Sequence, residues 1–217
     1  MCWSRKYFKG KMKQFKLILS VRLGLRNDLV GYETLIDYID NNNITSLDGD
    51  FLEVGAFMGG GSAKLARYAQ KFKKKVISVD IFNPNFDLTV NGRGESMAWI
   101  YNKILGKKDL YKTFKQNTKN ENNIVVYHED SKDLKLPNEI KFCFTFIDGC
   151  HDPEYAENDF NLAWNKTVRG GVVSFHDYGG ALKEITNAID RLIKKQIKNI
   201  SDIQIMPEKS IIFLKKR

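Results

Sequence analysis

Five short runs of apolar and β-branched residues recur along the chain: FLEV (51–54), KVISVD (75–80), NIVVYH (123–128), FCFTFID (142–148) and GVVSFHD (171–177). Stretches with helical spacing fill the intervals, near 61–72, 95–117 with a break at Gly106, 154–166 and 181–197. Buried strands that alternate with helices pack as parallel βαβ units, which makes the fold class α/β, a doubly wound sheet with helices on both faces. The end of the chain departs from this rule. DIQIM and SIIFLKK are separated only by PEK, too short for a crossover helix, so a C-terminal antiparallel hairpin and a sheet of about seven strands are expected.

A chain of 217 residues, 42% hydrophobic, suits one domain with a sizeable core. It contains no apolar run of spanning length and no signal-peptide pattern, which predicts a cytoplasmic setting. Cys2, Cys143 and Cys150 form no CxxC pair and read as free thiols. The net charge of +9 is uneven: residues 1–26 hold eight Lys or Arg and no acid. Phe8, Met12, Phe15, Leu19 and Leu23 recur there at helical spacing, so residues 1–30 read as a basic amphipathic arm. Docking on its own domain, on a second copy of the chain or on an anionic membrane surface would each suit such an arm. Residues 31–217 form the main domain, opened by the helix GYETLIDYIDNN with Tyr32, Leu35, Ile36 and Ile39 on one face. Its near-neutral charge argues against nucleic acid as a partner.

Every parallel strand ends in or beside a carboxylate: Glu53, Asp80, Glu129 with Asp130, Asp148, and Asp177. All three histidines, His128, His151 and His176, share that edge. Open α/β sheets bind ligands outside the carboxyl ends of their strands. The first turn, EVGAFMGGGS, sets Gly55, Gly59, Gly60 and Gly61 ahead of a helix, where missing Cβ atoms let backbone approach a ligand. Its spacing fits neither G-x-G-x-x-G nor the phosphate loop, which lacks its lysine. Glu53 beside the loop would repel a pyrophosphate and attract a cationic nucleoside.

On these residues the chain resembles the class I methyltransferases that use S-adenosylmethionine, a family with a Rossmann-like fold. The match runs from EVGAFMGGGS through Asp80 and HEDS to FIDGCHDPEYAENDFNLAW and RGGVVSFHDYGG. The last two segments resemble the branch of small-molecule and sugar O-methyltransferases. The resemblance implies a cofactor set of Glu53, Gly55, Gly59, Gly60, Ser62, Asp80, Asp130, Ser131 and Asp148, with Asp80 on the ribose hydroxyls and Asp130 at the adenine edge. It also implies a small hydroxylated acceptor, such as a sugar, polyketide or phenol. Metal-dependent relatives carry carboxylates at the ends of the fourth and fifth strands, positions held here by Asp148 and Asp177. His176 stands where several of them have an acid, which counts against Mg2+ and leaves room for Mn2+, another imidazole-tolerant ion or no metal. RNA methylation and a non-catalytic cofactor-binding protein are the alternative readings.

Transfer to a hydroxyl needs a base. Asp148, His151 and His176 are the candidate catalytic residues, with a neutral His151 as the base. Cys150 reads as a bystander thiol, Asp152 and Glu154 as the first turn of the next helix, Tyr155 as packing, and Asn158 and Asp159 as solvated. Residues 81–118 read as a substrate lid. Within it, Phe82, Phe86 and Trp99 are candidates to line an acceptor pocket, and Asp87, Asn91 and Arg93 to contact the acceptor's polar groups.

Overall fold

Seven strands form one sheet in the computed structural model, which describes residues 12, 15–23 and 28–217. Strand β1 (Asp50–Val54) pairs in parallel with β2 (Val76–Asp80) on one side and β4 (Phe142–Ile147) on the other. Beyond them lie β3 (Ile124–His128) against β2 and β5 (Thr167–Phe175) against β4, both parallel. The hairpin predicted from PEK is present. Strand β7 (Ile211–Lys216) runs antiparallel to β5 and to the edge strand β6 (Ile200–Met206), giving the order β3-β2-β1-β4-β5-β7-β6.

Besides the N-terminal helix at residues 15–22, the described residues form α1 (Glu33–Asn41), which leads into β1, and five helices that connect the strands: α2 (Gly60–Gln70), α3 (Met97–Leu105), α4 (Leu110–Thr118), α5 (Pro153–Trp164) and α6 (Lys183–Gln196). The break foreseen at Gly106 separates α3 from α4, with that glycine at φ +64°. Ser96 and Asp109 cap the two helices by accepting from the N–H groups of Trp99 and Lys112.

Alternation along the strands divides the core. Leu52, Ile77, Ile147 and Val173 pack toward Phe160, Ile189 and Leu192, whereas Phe51, Val76, Phe144 and Phe146 pack toward Leu35, Ile39 and Leu65. Phe142 and Phe144 have the same parity yet face opposite sides, because the register shifts between them. A bulge adds one residue to a strand and so exchanges its two faces. Each phenylalanine buried this way contributes roughly 1.5–3 kcal/mol by removal from water.

The N-terminal arm lies partly outside the described residues. Residues 15–22 are helical, and the face that packs on the domain differs from the one expected. Leu17, Ile18 and Val21 meet a cluster that includes Met58, Phe82, Leu105 and Phe114, while Met12, Phe15, Leu19 and Leu23 are exposed. The helix has apolar residues on two sides, and only one side fits against that cluster. No helix of the described residues is long and apolar enough to cross a membrane.

Candidate active site

The chain leaves β1 toward β2 and β3, then re-enters the sheet on the opposite side with β4. A crevice opens at such a reversal, over the carboxyl ends of the strands. A cleft of about 300 Å³ occupies this position. Its walls include Gly55 after β1, Asp80 ending β2, Glu129 and Asp130 after β3, Asp148 after β4, and His176 with Asp177 after β5. Four of the five acidic strand ends therefore converge on the cleft, and the first strand contributes Gly55 to the wall in place of Glu53.

Glu53 is fully buried behind the loop. Its Oε1 accepts from the Tyr32 hydroxyl at 2.8 Å, and its Oε2 from Ser62 at 2.5 Å and Ser78 at 2.8 Å. Burial pushes its pKa up to about 7, against the pull of these three donors. Glu53 and Ser62, both expected around the cofactor, thus bond to one another in the core.

The glycines serve close packing inside the protein. At Gly55 (φ +92°) a Cβ would overlap the Asp148 carbonyl, and at Gly59 (φ +78°) it would lie 2.7 Å from the Phe114 ring. Strand β4 and helix α4 occupy the space left by the missing side chains. Of the glycines expected to cradle the cofactor, Gly55 lines the cleft, whereas Gly59 and Gly60 lie behind it at the start of α2.

Asp80 does face the cleft. Its carboxylate accepts the N–H groups of Phe57 at 2.7 Å and Phe82 at 2.6 Å, and burial raises its pKa to about 6. Phe57 and Phe82 both have positive φ, 47° and 49°, uncommon for bulky residues. The loops after β1 and β2 therefore each hold one strained residue in place to aim a backbone donor at this carboxylate. An ionised carboxylate offers about four acceptor positions, so lone pairs remain for hydroxyl groups of a ligand.

On the β3 side, Asp130 accepts from the Tyr155 hydroxyl at 2.7 Å, and Ser131 and Tyr155 line the cleft with it. Asp159 corrects a prediction: expected to be solvated, it is 1% exposed and forms part of the wall. Burial raises its pKa to about 6. The signal was present in the sequence, since Ala156, Asp159, Phe160 and Ala163 make the buried stripe of α5. Asp152 caps that helix by accepting from the N–H of Glu154 at 2.8 Å, as its position suggested.

The far wall holds a chain of carboxylates and imidazoles. His151 Nδ1 donates to Asp87 Oδ2 at 2.6 Å, and its Nε2 donates to Asp177 Oδ2 at 2.9 Å. His176 Nδ1 lies 2.9 Å from the same Asp177 oxygen and 3.2 Å from Asp148 Oδ1. Burial disfavours the His151 cation, but the bonds to Asp177 and Asp87 prevail and raise its pKa to about 10. His176 is likewise held well above the usual histidine range: burial opposes its charge, and Asp148 and Asp177 favour it. Asp177 is desolvated yet held far below the carboxylate range by the two imidazoles. A neutral His151 acting as base is therefore not what this arrangement presents, because both ring nitrogens are committed to carboxylates.

The segment after β2 is used differently from expectation. Asp87 is buried and lines the cleft, with its Oδ2 bonded to the side chain and backbone N–H of His151. Phe86 lines the cleft, but Phe82 packs among Tyr111, Phe114 and His128, and Trp99 is exposed beneath the Lys103 ammonium. Asn91 and Arg93 bond within their own turn and to Glu95. Met97 and Tyr101 of α3 line the cleft instead. Cys150 also lines it, and burial pushes its thiol up to about 12, which keeps it protonated and unreactive.

One ligand atom each from Asp148, His151 and Asp177 falls within a mutual 4.8 Å. This set fits a divalent cation. Three carboxylates around two imidazoles leave the pocket anionic, and Asp87 holds His151 as a carboxylate holds a metal-bound imidazole, through the nitrogen opposite the ligating one. Asp177 has φ +60°, a backbone strain that recurs at sites where function fixes a side chain's aim.

Residues 52–178 match the family described as a methyltransferase domain. Among solved structures, the chain is similar to the O-methyltransferase NovP, with 18% identity and TM-score 0.63 over 85% of this chain and 77% of that one. It is similar to the calicheamicin methyltransferase CalS11, with 11% identity and TM-score 0.63 over 97% and 92% of the two chains. It is also similar to the O-methyltransferase TomG from Streptomyces achromogenes, solved in complex with SAM, with 13% identity and TM-score 0.58 over 94% and 89%. At these identities the likeness is one of fold. No curated protein matches the chain.

Proposed function

The chain belongs to the methyltransferase-domain family, in its S-adenosylmethionine-dependent class, and from that premise we propose that it methylates a hydroxyl of a small acceptor at a divalent-cation site. The observation that carries this reading is the convergence of Asp148, His151 and Asp177 on one wall of the cleft, opposite Asp80 and Asp130. Asp80 and Asp130 would hold the cofactor's ribose and adenine, and Gly55 would let its amino-acid end lie against backbone. When bound, the cofactor would supply a methyl group already activated by a sulfonium, and a cation would lower the pKa of the acceptor hydroxyl.

The protein's own residues then align the acceptor and keep water out. Phe57, Phe86, Met97 and Tyr101 supply the apolar part of the wall and suit an acceptor with a ring or hydrocarbon face. Asp87 directs His151 by accepting from Nδ1, and a bound cation would take the place of the Nε2 proton that the imidazole otherwise gives to Asp177. One imidazole with two carboxylates favours Mn2+ over Mg2+, which prefers oxygen ligands. A hydroxyl whose pKa the cation had lowered would release its proton to solvent at the mouth of the cleft, without a protein base.

The test is calorimetry with S-adenosylmethionine, followed by turnover on a panel of sugars and phenols after dialysis against EDTA and on restoring Mn2+ or Mg2+. Absence of cofactor binding sinks the whole reading. Full turnover in the chelated protein sinks the cation part alone.

A further inference from the structure

We infer that the N-terminal helix carries a docking surface for an anionic lipid bilayer. Residues 15–22 are helical, and an α-helix turns by about 100° per residue. Met12, Phe15, Leu19 and Leu23 therefore form one stripe, and they are 45%, 65%, 44% and 62% exposed. The opposite side of the same helix is occupied: Val21 is buried and Leu17 and Ile18 pack with it on the domain. Arg22 adds a hydrogen bond from Nε to the Lys103 carbonyl at 3.0 Å. The helix is thus anchored through one face and presents a second apolar face outward.

Charge identifies the occupant. Lys16 and Arg22 are exposed and, by the same rotation, flank the two edges of the stripe. Residues 1–26 contribute eight basic groups and no acid. A second copy of the chain would bring the same positive charge against it, and a neutral apolar partner would leave that charge unanswered. An anionic membrane interface answers both features, taking up the apolar side chains at the acyl boundary and the lysines at the headgroups. Leu17, on the anchored side, lines the cleft, so docking would place the thickness of one helix between the lipid surface and the active site.

The full-length protein is to be co-sedimented with vesicles of phosphatidylcholine alone and of phosphatidylcholine mixed with phosphatidylglycerol. Binding at least about tenfold stronger to the mixed vesicles is expected, falling toward the phosphatidylcholine level at high salt. The Phe15→Glu, Leu19→Glu double variant should lose about tenfold or more of that binding, with calorimetric cofactor affinity unchanged as proof of folding. Ile205→Glu, on the exposed edge strand, should bind vesicles like the parent. Equal binding to both vesicle types, or a double variant that binds like the parent, overturns the inference. So does a dimer in sedimentation equilibrium that the double variant dissolves, since the stripe would then belong to a second copy.

Discussion

Asp87 and His151 are 64 positions apart in sequence, yet Nδ1 of the imidazole stands 2.6 Å from the Asp87 carboxylate, and the backbone N–H of His151 donates to the same oxygen at 3.1 Å. These two hydrogen bonds of a buried pair tie the loop after β2 to the loop after β4. They make the orientation of His151 a property of the fold and not of the local sequence.

Replacement of Asp87 by Asn should therefore weaken the cation without touching the cofactor. Mn2+ affinity, measured by calorimetry on the cofactor-free protein, is expected to fall about 10- to 100-fold, while S-adenosylmethionine affinity stays within about twofold of the parent. Parental Mn2+ affinity would show that Asp87 is only a packing residue.

Asp177→Asn keeps the shape of the side chain and removes its charge. Turnover should fall by about a hundredfold or more with cofactor affinity retained, because Asp177 is a proposed ligand and lies apart from Asp80 and Asp130, the proposed cofactor contacts. A variant that turns over like the parent in saturating Mn2+ would remove Asp177 from the site.

Glu53 gives stability a pH dependence of known sign. Its pKa in the folded protein, about 7, lies above the ordinary 4.5, so the folded state holds the proton more tightly. Stability from this group is fully present below about pH 4.5, declines as the pH rises through about 7, and is level beyond. Glu53→Gln abolishes this titration. Relative to the variant, the parent should lose roughly 3 kcal/mol between the two ends of that window in urea unfolding of cofactor-free protein. A difference between the two proteins that does not change with pH would show that Glu53 titrates normally.

Gly55 and Gly94 separate overlap from backbone strain. Both have positive φ, 92° and 77°, but a Cβ at Gly55 would overlap the Asp148 carbonyl, whereas one at Gly94 meets nothing. Gly94→Ala should cost about 1 kcal/mol, read as a small drop in melting temperature. Gly55→Ala should cost more than about 3 kcal/mol, as overlap with immobile backbone adds to strain. Similar losses at the two sites would remove the argument that the first turn is set by the approach of β4.

Element order, the C-terminal hairpin and the carboxylate edge were determined by the sequence alone, because hydrophobic period and loop length are local quantities. PEK excludes a crossover wherever it is placed, and acids that end parallel strands must share an edge once those strands pair. The burial of Asp159 was legible too, through the stripe of α5. What the tertiary structure decided was the partner of each group on that edge. Glu53 and Asp80 both end strands, yet Glu53 points into the core toward Tyr32, Ser62 and Ser78, and Asp80 lines the cleft toward backbone donors. His151 looked like a free base until Asp87 arrived from a loop with no period of its own, and the arm's two apolar sides were ranked only by which one met Met58, Phe82 and Phe114. Periodicity records how often a side chain returns to a face. Proximity of groups distant in the chain, which sets hydrogen bonds, charge states and ligand sets, exists only after the sheet has assembled.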